Sequence, residues 1–141
     1  MKKYTVTSVF GIIGIISWAI TILLRETYLV NIEIINFKLG VMPNVGAAWF
    51  FIWIVEIIYE EIKRDFTFKV SIKVSGIIFL IAVLSEVVHD MFLNSTFDIF
   101  DIIATILAIT IYLIILYIFE RNKNLKHQWK YWKLNLTSTI D

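Results

Sequence analysis

Long apolar runs alternate along the chain with short clusters of charged residues. Four runs approach the length of about 20 residues that a helix needs to cross the hydrocarbon core of a bilayer. They cover approximately residues 5–24, 39–59, 70–93 and 97–119. Pro43 is expected near the start of the second helix, where its missing N–H costs little. The pattern predicts an all-α fold, an integral membrane four-helix bundle that forms one polytopic domain over residues 1–141.

The first run has two interpretations, because Lys2 and Lys3 precede it as the basic start of a secretory signal peptide would. The run is long, however, and it ends in SWAITILLRETY without a small-x-small cleavage site. We therefore expect a retained membrane anchor rather than a cleaved signal.

Lysine and arginine are distributed unequally between the two sides of the predicted bundle. One side carries only Arg25 and Lys38. The other side carries Lys2, Lys3, Lys63, Arg64, Lys69, Lys73, Arg121, Lys123, Lys126, Lys130 and Lys133. Because the cytoplasmic loops of membrane proteins carry the excess of basic residues, both termini and the tail at residues 120–141 are expected in the cytoplasm.

The tail has the pattern of a short C-terminal amphipathic helix that lies in the membrane interface. Its large apolar residues recur at helical spacing, and its lysines occupy the adjoining stripe. These residues are Leu125, Trp129, Trp132 and Leu136, and Lys126, Lys130 and Lys133. Simple anchoring explains the pattern, and a role specific for one lipid or partner is the alternative.

Composition supports a membrane protein and excludes several other classes. Hydrophobic residues make up 59% of the chain and charged residues 18%, unlike the balance of a soluble domain. Without cysteine, neither a disulfide framework nor a thiolate metal or redox site can form. A net charge of +1 argues against a nucleic-acid partner. Common nucleotide-binding and hydrolase motifs are absent from the sequence, so no cofactor is predicted and the question of an enzyme stays open.

An acidic stretch, SEVVHDMFLNSTFDIFDIIA at residues 85–104, separates the third and fourth runs. Glu86, His89 and Asp90 share one helix face, because they stand at positions i, i+3 and i+4. The fourth helix carries a stripe of polar and small residues that is expected to face its neighbours. This stripe consists of Asp98, Asp101, Thr105, Ala108 and Tyr112.

Two further helices add polar or small residues at the same predicted end of the bundle. The first helix has a stripe of Gly11, Gly14, Trp18, Thr21 and Arg25, whose glycines allow close helix contact and whose arginine is the natural counter-charge for the acids. The second helix contributes Asn44 near Gly46, Ala47 and Ala48. A polar pocket could therefore gather Arg25, Asn44, Glu86, His89, Asp90, Asp98 and Asp101.

Several of these residues also have a purely structural interpretation. His89 could be a satisfied histidine near the membrane interface. Asp98 could be only a helix N-cap, and Arg25 could pair with Asp101 or Glu86 without any ligand. Glu86 and His89 form one E-x-x-H pair, but a di-iron bundle requires a second such motif, and no metal site is predicted. Glu56 is expected at the opposite end of the second helix, too far away to help.

The run SEVVHDMFLNSTFDIFDIIATILA resembles the signature of the VanZ-like membrane proteins. Glu86, Phe97, Asp98, Asp101 and Ala104 match the family pattern of a glutamate on one helix followed by F-D-x-x-D at the start of the last helix. The sequence departs from that pattern where the family often has Asn, Gly and Gln, because Thr105, Ala108 and His89 stand near those positions. The resemblance covers about a quarter of the chain.

The resemblance implies a multi-pass protein of the bacterial plasma membrane, with the acidic residues on the outer side and an association with low-level teicoplanin resistance. The leading hypothesis is a cell-envelope protein that binds a lipid-linked or amphipathic ligand, such as a lipid-linked cell-wall precursor, in this pocket. In that hypothesis Arg25 and Asn44 bind anionic or polar head groups. The alternatives are an enzyme that uses Asp101 or Glu86 as general acid or base on an envelope lipid, and a structural or assembly subunit.

Overall fold

The computed structural model describes residues 5–62, 64–93 and 98–137, and it describes side chains up to residue 123 except those of residues 63 and 93–97. Four helices account for most of this part of the chain. They are α1 Val6–Arg25, α2 Glu33–Glu61, α3 Phe68–Leu93 and α4 Ile99–Thr137, and a short 3-10 helix at Tyr28–Asn31 joins α1 to α2. The predicted all-α fold with four long helices is confirmed.

All four helices are long and apolar enough to cross a membrane. Large aliphatic side chains lie on their outer surfaces, among them Leu23, Leu80 and Leu84, each at least 60% exposed. Such a density of exposed apolar residues would be unfavourable in water, whereas hydrocarbon tails solvate it. The chain is therefore a multi-pass membrane protein.

Helix α2 begins at Glu33, six residues before the start that the apolar pattern predicts. The expectation that Pro43 lies near a helix start is therefore wrong, because Pro43 lies inside the helix. Because the first turns of α2 contain polar residues, the apolar run in the sequence begins later than the helix does. A proline inside a helix leaves the carbonyl of residue i−4, here Leu39, without its usual backbone donor.

The tail is helical up to Thr137, and its helix is continuous with α4 rather than a separate short element. The tail side chains from Leu125 to Leu136 lie outside the described residues, so its predicted position in the membrane interface stays a prediction. Phe97 of the acidic motif also lies outside the described residues.

The pairing of α1 with α2 depends on a close approach of their backbones. A Cβ added at Gly14 would lie 2.5 Å from the Gly46 carbonyl oxygen, and one added at Gly46 would lie 2.7 Å from the Gly14 oxygen. A Cβ at Gly11 would collide with Trp53. The prediction that Gly11 and Gly14 allow a neighbouring helix to come close is confirmed.

The centre of the bundle is an aromatic cluster that joins α1, α2 and α4. Phe10 makes edge-to-face contacts with both Trp49 and Tyr112, at ring separations of 4.9 and 5.5 Å. The Trp49 indole N–H donates to the Ala108 carbonyl at 2.8 Å. Because Thr105, Ala108 and Tyr112 are all buried, this part of the α4 stripe faces the bundle as predicted. Helix α3 packs less extensively against α2 than α1 does, which leaves space between α2 and α3.

Candidate functional site

A cavity of about 450 Å³ lies between α2 and α3 and reaches α4. Its walls come from α2 between Asn44 and Tyr59, from α3 between Val74 and Glu86, and from α4 between Asp101 and Thr105. Most of this wall is apolar. The half-exposed side chains of Phe51, Ile77 and Ile81 belong to it, so the cavity is a groove open on the side where lipid chains would lie.

One end of the groove is polar, and we call its residues the Asp101 cluster. They are Asn44, Ser85, Glu86, Asp101 and Thr105. Asn44 faces this end from α2, Ser85 and Glu86 come from the last third of α3, and Asp101 lies in the first turn of α4. Three helices thus bring one amide, two hydroxyls and two carboxyl groups to the same end of an apolar groove.

Two acidic side chains lie near Asp101, one on α3 and one just before the start of α4. Glu86 and Asp98 are both close enough to repel its negative charge, and Arg25 is close enough to attract it. The Asn44 side chain lies beside the Asp101 carboxyl group at this end of the groove. The predicted convergence of Asn44, Glu86 and Asp101 is therefore present, and the charged residues that line the groove itself are both acidic.

Arg25 is positioned by the backbone of α2. Its guanidinium donates to the Leu39 carbonyl at 2.9 Å, and Leu39 is the residue four positions before Pro43. Arg25 therefore satisfies the acceptor that Pro43 leaves without a helical N–H. Arg25 contributes to the field around Asp101, but it is not part of the groove wall.

The remaining predicted site residues lie outside the groove. Asp98 accepts a hydrogen bond from the Phe100 backbone N–H at 2.8 Å, so it caps the start of α4, as its structural interpretation proposed. His89 and Asp90 are exposed near the end of α3. Within the described residues, no group of three His, Asp or Glu side chains could hold a metal ion.

A second polar group, which we call the Glu56 network, lies at the opposite end of the bundle. Glu56 is only 5% exposed, and its Oε2 accepts hydrogen bonds from Thr5 Oγ1 at 2.8 Å and Ser8 Oγ at 3.5 Å. Its distance along α2 from the Asp101 cluster agrees with the expectation that Glu56 cannot join that site.

A second set of hydrogen bonds in the Glu56 network centres on Tyr112, which is fully buried. The Tyr112 hydroxyl donates to Ser71 Oγ at 3.2 Å and lies 3.0 Å from Thr7 Oγ1. Since the tyrosine proton is used on Ser71, Thr7 is the donor in the second bond. Residues of all four helices thus meet at this end of the bundle in two adjacent hydrogen-bonded sets. The isolated Glu56 within an apolar run was the signal in the sequence.

Comparison with known protein families, curated proteins and solved structures finds no match to this chain. The resemblance to VanZ-like proteins therefore depends on the residues of the acidic motif. Glu86 and Asp101 of this motif line the groove, Asp98 caps α4, and Ala104 is buried.

Proposed function

We propose that this chain is a VanZ-like protein of the bacterial plasma membrane that binds an amphipathic, lipid-type ligand in the groove between α2 and α3. The observation that carries the proposal is the groove itself. Its volume of about 450 Å³ is in the range of small-molecule sites. Its long apolar wall ends at the Asp101 cluster, so it matches a molecule with one apolar chain and one polar head.

The length of the groove fits an extended chain. From Asn44 to Tyr59 the α2 wall rises about 22 Å, at about 1.5 Å per residue, against a hydrocarbon thickness of about 30 Å. A ligand chain in this groove would replace lipid against Ile77 and Ile81 while its head reached Glu86 and Asp101. The lateral opening allows entry from the bilayer without passage through water.

The distribution of basic residues supports a location of the Asp101 cluster on the outer side of the membrane. Cytoplasmic ends carry the basic excess, and the cluster lies at the end that carries Arg25 and Lys38. The lipids of the outer leaflet and the molecules of the cell wall are exposed on that side. Together with the resemblance of the acidic motif, this supports a role in the cell envelope that includes low-level glycopeptide resistance.

Ligand binding is tested by filling the groove. Ala82 lies in the groove wall, whereas Leu84 on the same helix is 62% exposed and lies outside it. Native mass spectrometry of protein purified from bacterial membranes should detect a bound amphiphile on the wild type and on Leu84→Trp, but not on Ala82→Trp. Equal occupancy in both variants would show that any bound lipid lies elsewhere.

The envelope role is tested in cells. A Gram-positive host that expresses the wild type should tolerate more teicoplanin than the same host with an empty vector, and Asp101→Asn at a matched membrane level should not protect. Equal susceptibility of all three strains would remove the resistance role.

A further inference from the structure

The charge of the groove specifies the head group of its ligand. Among the described residues of the wall, the charged side chains are Glu86 and Asp101, both acidic. Asp98 adds a third negative charge close to Asp101. An anionic head group placed here would meet two carboxyl groups of its own sign in a medium of low dielectric constant, which is strongly unfavourable.

Arg25 does not change this preference, because its guanidinium is held outside the groove. It donates to the carbonyl that Pro43 leaves without a partner, and moving it into the groove would leave the Leu39 carbonyl without that donor. The hypothesis that Arg25 binds an anionic head group is therefore disfavoured by this geometry. The described part of the groove wall therefore contains no positive side chain to balance its two carboxyl groups.

We propose that the Asp101 cluster selects a primary ammonium head group, so that the ligand is an amphiphile with an apolar chain and a protonated amine. This inference rests on the proposed ligand-binding function and specifies its ligand class. An ammonium group has three N–H donors, which match acceptors on Glu86, Asp101 and Asn44. The three acceptors come from three different helices, α2, α3 and α4, which meet at the same end of the groove.

A quaternary ammonium head group fits less well. It has no N–H to donate, and proteins bind it mainly with aromatic rings. The aromatic residues of the groove wall, Phe51 and Tyr59, lie about 10 and 22 Å along α2 from Asn44. They therefore contact the chain of a ligand, whereas the head meets carboxyl, amide and hydroxyl groups.

Four probes with one chain length test the inference: hexadecylamine, hexadecanol, hexadecyl phosphate and hexadecyltrimethylammonium. Each is added at the same low mole fraction to the full chain in nanodiscs of zwitterionic lipid, and its affinity is read from the shift in thermal unfolding. We expect the amine to bind about tenfold more tightly than the alcohol or the quaternary ammonium, and the phosphate most weakly.

Variants test whether the preference for the amine comes from the Asp101 cluster. Asp101→Asn combined with Glu86→Gln should reduce the amine to the affinity of the alcohol, while Asp90→Asn, an exposed acid outside the groove, should keep the preference. Equal binding of amine and alcohol, or strongest binding of the phosphate, would overturn the ammonium assignment and leave amphiphile binding intact. Binding of none of the four probes would overturn both proposals. If the double variant does not fold, the ranking of probes on the wild type decides alone.

Discussion

The two polar ends of this bundle contain similar residues. At one end these residues bond to one another, and at the other end they face a groove. In the Glu56 network, the carboxyl group accepts bonds from Thr5 and Ser8, and Tyr112 joins Thr7 to Ser71. In the Asp101 cluster, two carboxyl groups face a groove and repel each other. Polar groups that are satisfied by one another hold helices together, whereas polar groups that face an open groove are available to a ligand.

The difference follows from how closely the helices approach. Near Gly14 and Gly46 the backbones of α1 and α2 touch, and Glu56 is brought against the first turn of α1. Among the described residues, α3 packs less extensively on α2 than α1 does, and the groove lies between α2 and α3. In an apolar medium, a polar group that is hydrogen-bonded within the protein stabilises the fold, whereas a polar group that faces an open groove requires a partner.

Removal of the Glu56 carboxyl group should have the largest effect on stability. Glu56→Ala leaves the Thr5 hydroxyl without its acceptor, although Ser8 Oγ keeps its 2.7 Å contact with Thr5 Oγ1. We expect a loss of about 3 kcal/mol in the free energy of unfolding. Glu56→Gln keeps an acceptor oxygen and should lose clearly less. Unfolding in mixed micelles measures both, and equal losses would show that the hydrogen bonds to Thr5 and Ser8 contribute little.

Separation of α1 from α2 should have the next largest effect, because the closed network depends on their contact. Gly14→Ala places a methyl group against the Gly46 carbonyl, and we expect a loss of about 2 kcal/mol in stability. Gly76→Ala is the matched control, since nothing lies within 4 Å of its added Cβ. A similar loss in both variants would contradict the close packing of α1 on α2.

The bond between Arg25 and the Leu39 carbonyl should contribute about 1 kcal/mol. Arg25→Met removes the donor in the wild type, where Pro43 supplies none. In a Pro43→Ala background the restored N–H of residue 43 can pair with Leu39, so the same substitution should cost less. A double-mutant cycle on unfolding free energies measures this coupling. If the losses in unfolding free energy of the two substitutions are strictly additive, Arg25 does not stabilise the fold by donating to the Leu39 carbonyl.

Sequence periodicity predicted the helices and the small-residue contacts of α1 and α4, because apolar length and small-residue stripes are local properties of the chain. The convergence of Asn44, Glu86 and Asp101 followed from their positions at the same ends of successive helices. The partner of Arg25 could not be predicted, since it is a backbone carbonyl exposed by a proline whose helix starts earlier than the apolar run. The Glu56 network depends on the rotation of each helix about its axis, which four similarly apolar runs do not specify.

The measurement that tests the contrast between the two ends most directly is the binding of hexadecylamine to two matched variants. Asp101→Asn removes a carboxyl group that faces the groove, and Glu56→Gln removes one that is hydrogen-bonded within the network. We expect Asp101→Asn to lose most of the shift in thermal unfolding that the amine produces in the wild type, and Glu56→Gln to retain it despite lower stability. An equal loss in both variants, or a loss in Glu56→Gln alone, would contradict the assignment of ligand binding to the Asp101 cluster.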